Sequence, residues 1–203
     1  MQLFLETERL LLRQFTLDDV DNLLALDSDV EVRRYLDMPV TPTRESIAEH
    51  TLPRFMAYYA QYDGYGFWAA MEKTSHAFLG WFHFRPAAED PEEIELGYRL
   101  QRLAWGKGYA TEGAQALIRK GFLELGVLRV VATALAANIA SIRVMEKAGL
   151  TFEKRYWYKG TLEAVKYALD RDVYLEQESR GDTLDSSAWD HCCTLSHCAL
   201  YYA

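Results

Sequence analysis

The chain has 203 residues, half of them hydrophobic and 26% charged, with 12 glycines and 5 prolines. That size and mix exclude a collagen-like or wholly disordered chain. They give one domain with room for an appendage, able to bury a core without a disulfide or metal staple. Lys and Arg number 22 against 30 Asp and Glu, a formal net charge of −8, which counts against a duplex nucleic-acid binder and favours cationic partners.

No apolar run reaches the ~18 residues of a spanning helix, and Met1–Arg13 lacks the charge and hydropathy order of a signal peptide. Cys192, Cys193 and Cys198 all fall in the last dozen residues. The main body therefore has no disulfide framework, and a reducing, cytoplasmic setting is expected, with neither membrane nor nucleic acid as a partner.

Residues 8–14 read as a strand. Thr16 is placed to cap a helix with Asp18 and Asp19 in its first turn and Val20, Leu23, Leu24 and Leu26 as its apolar stripe. After the break at Thr41-Pro42-Thr43, residues 44–61 show a second helical pattern, which Pro53 should kink or split. Residues 67–72 and 77–84 read as a hairpin turning through Lys73–His76, residues 86–93 as an acidic loop and 94–100 as a strand. The strongest helix spans 109–125, with Ala110, Ala114, Leu117, Ile118, Gly121 and Phe122 on or near one face. A strand at 128–135, a helix at 139–148 stopped by Gly149, and strands at 151–158 and 164–174 complete residues 1–177. This order predicts an α/β chain, with a mixed sheet and helices on both faces. Residues 178–203 are polar and aperiodic and are expected to form a flexible or loosely docked tail. Cys193 and Cys198 have C-x₄-C spacing, but no second well-spaced pair follows, so no metal is expected.

Two stretches carry chemistry. Around Trp105-Gly106-Lys107-Gly108-Tyr109-Ala110-Thr111-Glu112 a strand ends and a glycine-rich turn opens a helix. Glycines let main-chain N–H groups curl around an anion, and the helix start adds unpaired N–H groups and its positive dipole end. The turn predicts a phosphate or pyrophosphate cradle at 106–111. It is not a P-loop, which needs Gly where Gln101 stands, nor a dinucleotide fingerprint, which needs Gly or Ala at Thr111. The second stretch runs from Asn138 to Phe152, where Asn138 is by local rules a helix N-cap.

Together these stretches resemble the GNAT superfamily of acyl-coenzyme A-dependent N-acetyltransferases, and within it the ribosomal-protein N-terminal acetyltransferase-like (RimJ/RimL type) branch. The likeness covers about residues 5–175. It includes Leu5-Glu6-Thr7-Glu8-Arg9-Leu10-Leu11-Leu12-Arg13, Glu95-Leu96-Gly97-Tyr98, the glycine-rich turn, and Asn138-x-x-Ser141-x-Arg143-x-x-Glu146-Lys147-x-Gly149.

The resemblance implies a mostly antiparallel mixed sheet splayed between two central parallel strands, 94–100 and 128–135, with the acyl-pantetheine arm of acetyl-CoA in the gap. It implies main-chain pairing of Tyr98, Arg99 and Leu100 with that arm. Trp105, Gly106, Lys107, Gly108, Tyr109, Ala110 and Thr111 would surround the pyrophosphate. Asn138 and Ser141 would reach the arm and Arg143 the nucleotide end. Trp105 stands where many members have Gln or Arg, but the anion would be held mainly by main-chain groups.

Acetyl transfer needs a neutral amine. An α-amine of pKa about 8 is roughly a tenth neutral at pH 7, a lysine of pKa about 10.4 under a thousandth, so a protein or peptide N-terminus is the expected acceptor. Glu95 is the expected base, acting through a water, with Glu93 on the same strand face as reserve; as plain strand residues both would be solvated edge carboxylates. A main-chain N–H near Tyr98 or Arg99 is the candidate oxyanion donor. Met145 replaces the Tyr that many members offer to the leaving thiolate, which leaves Ser141. Glu89, Asp90, Glu92, Glu93 and Glu95 would attract a cationic acceptor or simply form a solvated loop, and Tyr156, Trp157 and Tyr158 would wall an acceptor slot or fill core. His83 is expected to be structural. A small-molecule amine acetyltransferase and a non-catalytic acyl-CoA sensor are the other readings, and a monomer or homodimer is expected.

Overall fold

The computed structural model describes residues 2–37 and 40–181. The Cys- and His-bearing stretch of the expected tail lies outside the described residues. The strands are β1 (Leu3–Glu6), β2 (Leu10–Gln14), β3 (Gly66–Glu72), β4 (Phe78–Pro86), β5 (Ile94–Leu100), β6 (Arg129–Leu135), β7 (Thr151–Tyr158) and β8 (Leu162–Asp170). They form one sheet in the order β1-β2-β3-β4-β5-β6-β8-β7. Every neighbouring pair is antiparallel except β5 and β6. Those two pair only at Ile94↔Val130 and Glu95↔Val131, although both strands run several residues further. Beyond Glu95 the sheet is therefore split.

The helices are α1 (Val20–Ser28), α2 (Val30–Arg33), α3 (Arg44–Ser46), α4 (Leu52–Gln61), α5 (Tyr109–Leu123), α6 (Ile139–Lys147) and α7 (Arg171–Ser179). Strand alternation sorts the core into two layers. From β3, Phe67 and Ala69 pack with Leu23, Leu26, Leu52 and Phe55 of α1 and α4. Trp68 and Ala70 instead join Leu117, Ile118 and Phe122 of α5, Met145 of α6 and Tyr174 of α7. Each fully buried Leu or Phe here contributes about 1.5–3 kcal/mol of hydrophobic stabilisation. Gly113 and Gly121 let α5 lie directly on the sheet: a Cβ would fall 2.3 Å from the Phe82 ring at Gly113 and 2.5 Å from the Phe84 ring at Gly121.

Local details differ at both ends of the chain, and one expected break is present. The strand expected over 8–14 is β2, which begins at Leu10; β1 ahead of it was not foreseen and joins it through a tight turn closed by the Thr7 N–H donating to the Leu10 carbonyl at 2.9 Å. α2 was not foreseen; Asp29 caps it by accepting from the Glu31 N–H. The 44–61 helix does split: a π turn at Ile47–Thr51 lies just ahead of Pro53, which sits in the first turn of α4 and has no N–H to give. The last strand ends at Asp170, and α7 carries the chain past the expected tail boundary at 178. Tyr174, expected in a strand, is held in α7 by packing on Phe122, ring centroids 5.1 Å apart.

Candidate active site

The site begins where β5 ends. The Trp105 indole N–H donates to the Leu100 carbonyl at 2.8 Å and ties the strand to the turn, while its ring stays half exposed. Gly106 and Gly108 have φ of 71° and 83°, the left-handed region that favours glycine. Gly108 is the N-cap of α5, and the Glu112 N–H is the first to find a helical partner, the Gly108 carbonyl at 3.0 Å. The N–H groups of Tyr109, Ala110 and Thr111 thus stand at the unpaired start of a 15-residue helix.

A cavity of about 460 Å³ opens on this turn. Trp105, Gly106, Gly108, Ala110 and Thr111 line one side and Asn138, Ser141, Arg143 and Lys147 of α6 the other. Arg34, 3.8 Å from Glu31, and Arg99 also line it. Arg143 makes no side-chain hydrogen bond or ion pair among the described residues and is exposed. The side chains of Lys107 and Tyr109 do not line the cavity; Lys107 is exposed, and Tyr109 is buried with its hydroxyl donating to Glu72.

A second cavity of about 260 Å³ fills the split between β5 and β6. It meets the first along Tyr35, Leu36, Tyr98, Arg99, Asn138 and Ser141. Asn138 is the N-cap that local rules predict: its Oδ1 accepts from the Ser141 N–H at 3.2 Å. That leaves its amide Nδ2 for a ligand. The Tyr98 hydroxyl lies 3.5 Å from Ser141 Oγ, and burial, outweighing the Ser141 contact, raises its pKa and keeps it protonated. The Arg99 side chain turns away to pair with Asp27 and to lie over Trp81. Met145 is buried and brings no proton donor.

Glu95 stands at the inner end, where the parallel pairing stops. Its Oε2 accepts from Arg85 Nη2 at 2.6 Å, its Oε1 takes the Thr133 hydroxyl at 3.4 Å, and His83 Nε2 is 3.6 Å from Oε2. Burial first, then the Arg85 and Arg99 charges, push the His83 pKa down to about 3. The ring is therefore neutral, and its buried Nε2 has no hydrogen-bond partner among the described residues. Gly97 pairs with His83 across β4 and β5; a Cβ there would lie 2.5 Å from the imidazole. The glycine of the Glu-Leu-Gly-Tyr motif makes room for a histidine on the chamber wall.

Glu93 is differently placed. It accepts from Lys166 Nζ at 2.6 Å and Arg129 Nε at 3.1 Å and lines neither cavity. Glu89, Asp90 and Glu92 are exposed and also off both cavities. Trp157 is 66% exposed on the edge strand β7, so it is not core, and Tyr156, Trp157 and Tyr158 line neither cavity. Sequence reasoning missed Tyr35 and Leu36, which line both cavities, and Trp81 and Thr133 beside Glu95. No motif marks them; only the fold brings them together.

The sequence pattern of the Acetyltransferase (GNAT) domain family matches residues 9–151. The chain belongs to that family. It is 30% identical over 182 residues to the FsC-acetyl coenzyme A-N(2)-transacetylase of Aspergillus fumigatus, covering 82% of this chain and 74% of that protein. Among solved structures it is similar to a GNAT-family acetyltransferase from Bacillus anthracis, with a TM-score of 0.72, 26% identity and coverage of 83% and 99% of the two chains. It shares the fold of RimL, a ribosomal L7/L12 alpha-N-protein acetyltransferase solved with coenzyme A, at a TM-score of 0.71, 20% identity and coverage of 85% and 99%. The chain is thus a GNAT-family N-acetyltransferase, an enzyme. Among the described residues no helix is long and apolar enough to cross a membrane, and no group of three His, Cys, Asp or Glu is placed to hold a metal.

Proposed function

We propose that this acetyltransferase moves an acetyl group from acetyl-CoA to the α-amine of a peptide or protein N-terminus. The observation that carries the reading is the joined pair of cavities that leads from an anion-ready turn to a carboxylate at the point where the sheet splits. The residues fit acetyl-CoA. Two positive-φ glycines and a helix start suit a diphosphate. Arg34, Arg143 and Lys147 suit a nucleotide phosphate. The main-chain groups of Tyr98, Arg99 and Leu100 beyond the last β5·β6 pair suit an arm that pairs as an added strand.

Acetyl-CoA supplies an activated thioester when bound. Glu95 takes the amine proton through a water, and Arg85 holds that carboxylate in its orientation. A carboxylate acting through a water is a modest base. It suits an α-amine, already about a tenth neutral at pH 7, better than a lysine or polyamine. Among the described residues Glu95 is also the one acidic side chain on the inner cavity, whereas a polycation needs several. Ser141, with the Tyr98 hydroxyl 3.5 Å from its Oγ, is the proton donor for the departing thiol, whose pKa near 8.5 asks little of the pair. The N(2) acceptor in the name of the Aspergillus relative and the fold shared with RimL point the same way.

The test is thiol release from acetyl-CoA, corrected for hydrolysis, with peptides of varied first residue beside spermidine and aminoglycosides. Peptides are expected to be acetylated at the α-amine, shown by loss of signal on N-terminal blocking. Turnover of polyamines alone would contradict the acceptor assignment.

A further inference from the structure

Thr7 and Arg9 belong to the opening motif and Glu112 to the glycine-rich one, yet none of the three lines either cavity. They meet each other instead. Glu112 Oε1 accepts from the Thr7 hydroxyl at 2.6 Å and from the Arg9 main-chain N–H at 2.8 Å. Glu112 Oε2 accepts from Arg9 Nε at 2.6 Å and lies 2.6 Å from Nη2. The third arm, Nη1, donates to the Lys107 carbonyl at 2.8 Å, and the guanidinium lies over the Tyr109 ring, 4.7 Å from its centroid.

Two consequences follow from elementary geometry and charge. In a trans peptide the carbonyl and the next N–H point opposite ways. Drawing the Lys107 carbonyl out toward Arg9 therefore turns the Gly108 N–H inward, to the cavity that Gly108 lines. Glu112 also sits in the first turn of the helix whose start would hold a diphosphate. Its carboxylate suits the helix dipole but repels a bound anion unless a cation cancels it. Burial acts to raise its pKa, but Thr7 and Arg9 outweigh that and keep it ionised, so the cancelling charge is needed.

We propose that Arg9, locked by Thr7 and Glu112, is a positioning residue for the anion-binding turn: it aims the Gly108 N–H at the diphosphate of coenzyme A and neutralises the carboxylate beside it. The proposal rests on the reading that the turn holds that diphosphate, and the experiment separates the two. Calorimetric titration with coenzyme A and with pantetheine, which lacks the diphosphate, gives a ratio of affinities for each variant. Wild type is expected to favour coenzyme A strongly. Arg9→Ala should cut that ratio about tenfold, ~1.4 kcal/mol. Arg9→Lys should fall between, having the charge without the fork. Arg9→Ala with Glu112→Gln should recover part of the loss, because the uncancelled carboxylate is gone. A purely structural clasp would lower Tm and weaken both ligands alike; an unchanged ratio in Arg9→Ala overturns the proposal. Should Arg9→Ala not fold, Arg9→Lys and Thr7→Val carry the same ratio test. A wild-type protein with no preference for coenzyme A over pantetheine sinks the diphosphate reading itself.

Discussion

Gly113 is where fold and site are coupled most tightly. A Cβ there would lie 2.3 Å from Cζ of Phe82 and 2.7 and 2.8 Å from the two Cε atoms. An ordinary carbon contact is ~3.5 Å, so the gap must widen by ~1.2 Å. Phe82 is fully buried and cannot swing clear; behind it lies Tyr98, ring centroids 5.8 Å apart. Either Tyr98 moves in the channel, or α5 lifts and carries the anion-binding turn with it. Two terms of opposite sign decide the stability of Gly113→Ala. Helix propensity favours Ala by about 1 kcal/mol. Overpacking a rigid core costs about 1–3 kcal/mol, and the depth of this overlap puts it at the upper end. The net expectation is a loss of ~1–2 kcal/mol in urea unfolding and roughly tenfold weaker coenzyme A binding by calorimetry. Phe82→Leu makes room, so the double variant should be less impaired than the sum of the single ones by ~1 kcal/mol or more. A Gly113→Ala protein that is about 1 kcal/mol more stable and binds coenzyme A unchanged would refute the close packing of α5 on the sheet.

Glu95→Gln should leave coenzyme A affinity within about twofold, since Glu95 lies at the far end of the channel, and lower turnover by about 10²–10³; turnover unchanged across pH 6–9 would rule Glu95 out as the base. Tyr98→Phe should slow turnover by a few fold to about tenfold with coenzyme A affinity intact, and should add little once Ser141→Ala is present; full additivity would separate the two hydroxyls. His83 titrates near 3 in the fold against 6.5 when free, so its contribution to stability is fully present above pH 6.5. Below that the unfolded chain gains a proton the folded one refuses, and stability falls by up to ~1.4 kcal/mol per pH unit toward pH 3. His83→Gln should flatten this limb in urea titrations between pH 7 and 5; equal slopes would mean that His83 takes up its proton in the folded state.

The elements that sequence alone located are those whose cause is local. Gly106 and Gly108 can take positive φ at no steric cost, so the turn was legible, as was the Asn138 cap, a contact three residues long. The order of strands and helices is read from equally local patterns and gave helices on both faces, and the structure sorts Phe67 and Ala69 from Trp68 and Ala70 accordingly. What could not be read is pairing across the chain. The Arg9–Glu112 contact spans 103 residues. The space Gly97 leaves for His83 exists only because β4 and β5 pair in that register. Tyr35 and Leu36 reach the channel from a stretch with no periodicity at all. Glu93 and Glu95 look equivalent by strand period. They differ because Lys166 and Arg129 stand beside the first, and the second opens on the split. The split itself came from family resemblance, since nothing in the residues of β5 and β6 says where their pairing stops.

In the proposed reading, main-chain N–H groups of the 106–111 turn bind the diphosphate of coenzyme A. Calorimetry on Gly108→Asp against Gly108→Asn separates that from every other way of holding the cofactor. Both side chains carry a similar strain at φ 83° and, among the described residues, approach Arg9, 3.2 Å from the new Cβ and already paired with Glu112, so their difference in charge separates them. At an exposed turn a unit charge is screened, and coenzyme A should bind roughly tenfold or more weaker to Asp than to Asn. Equal affinity in the two variants, or no heat when the folded wild-type protein meets millimolar coenzyme A, would contradict it.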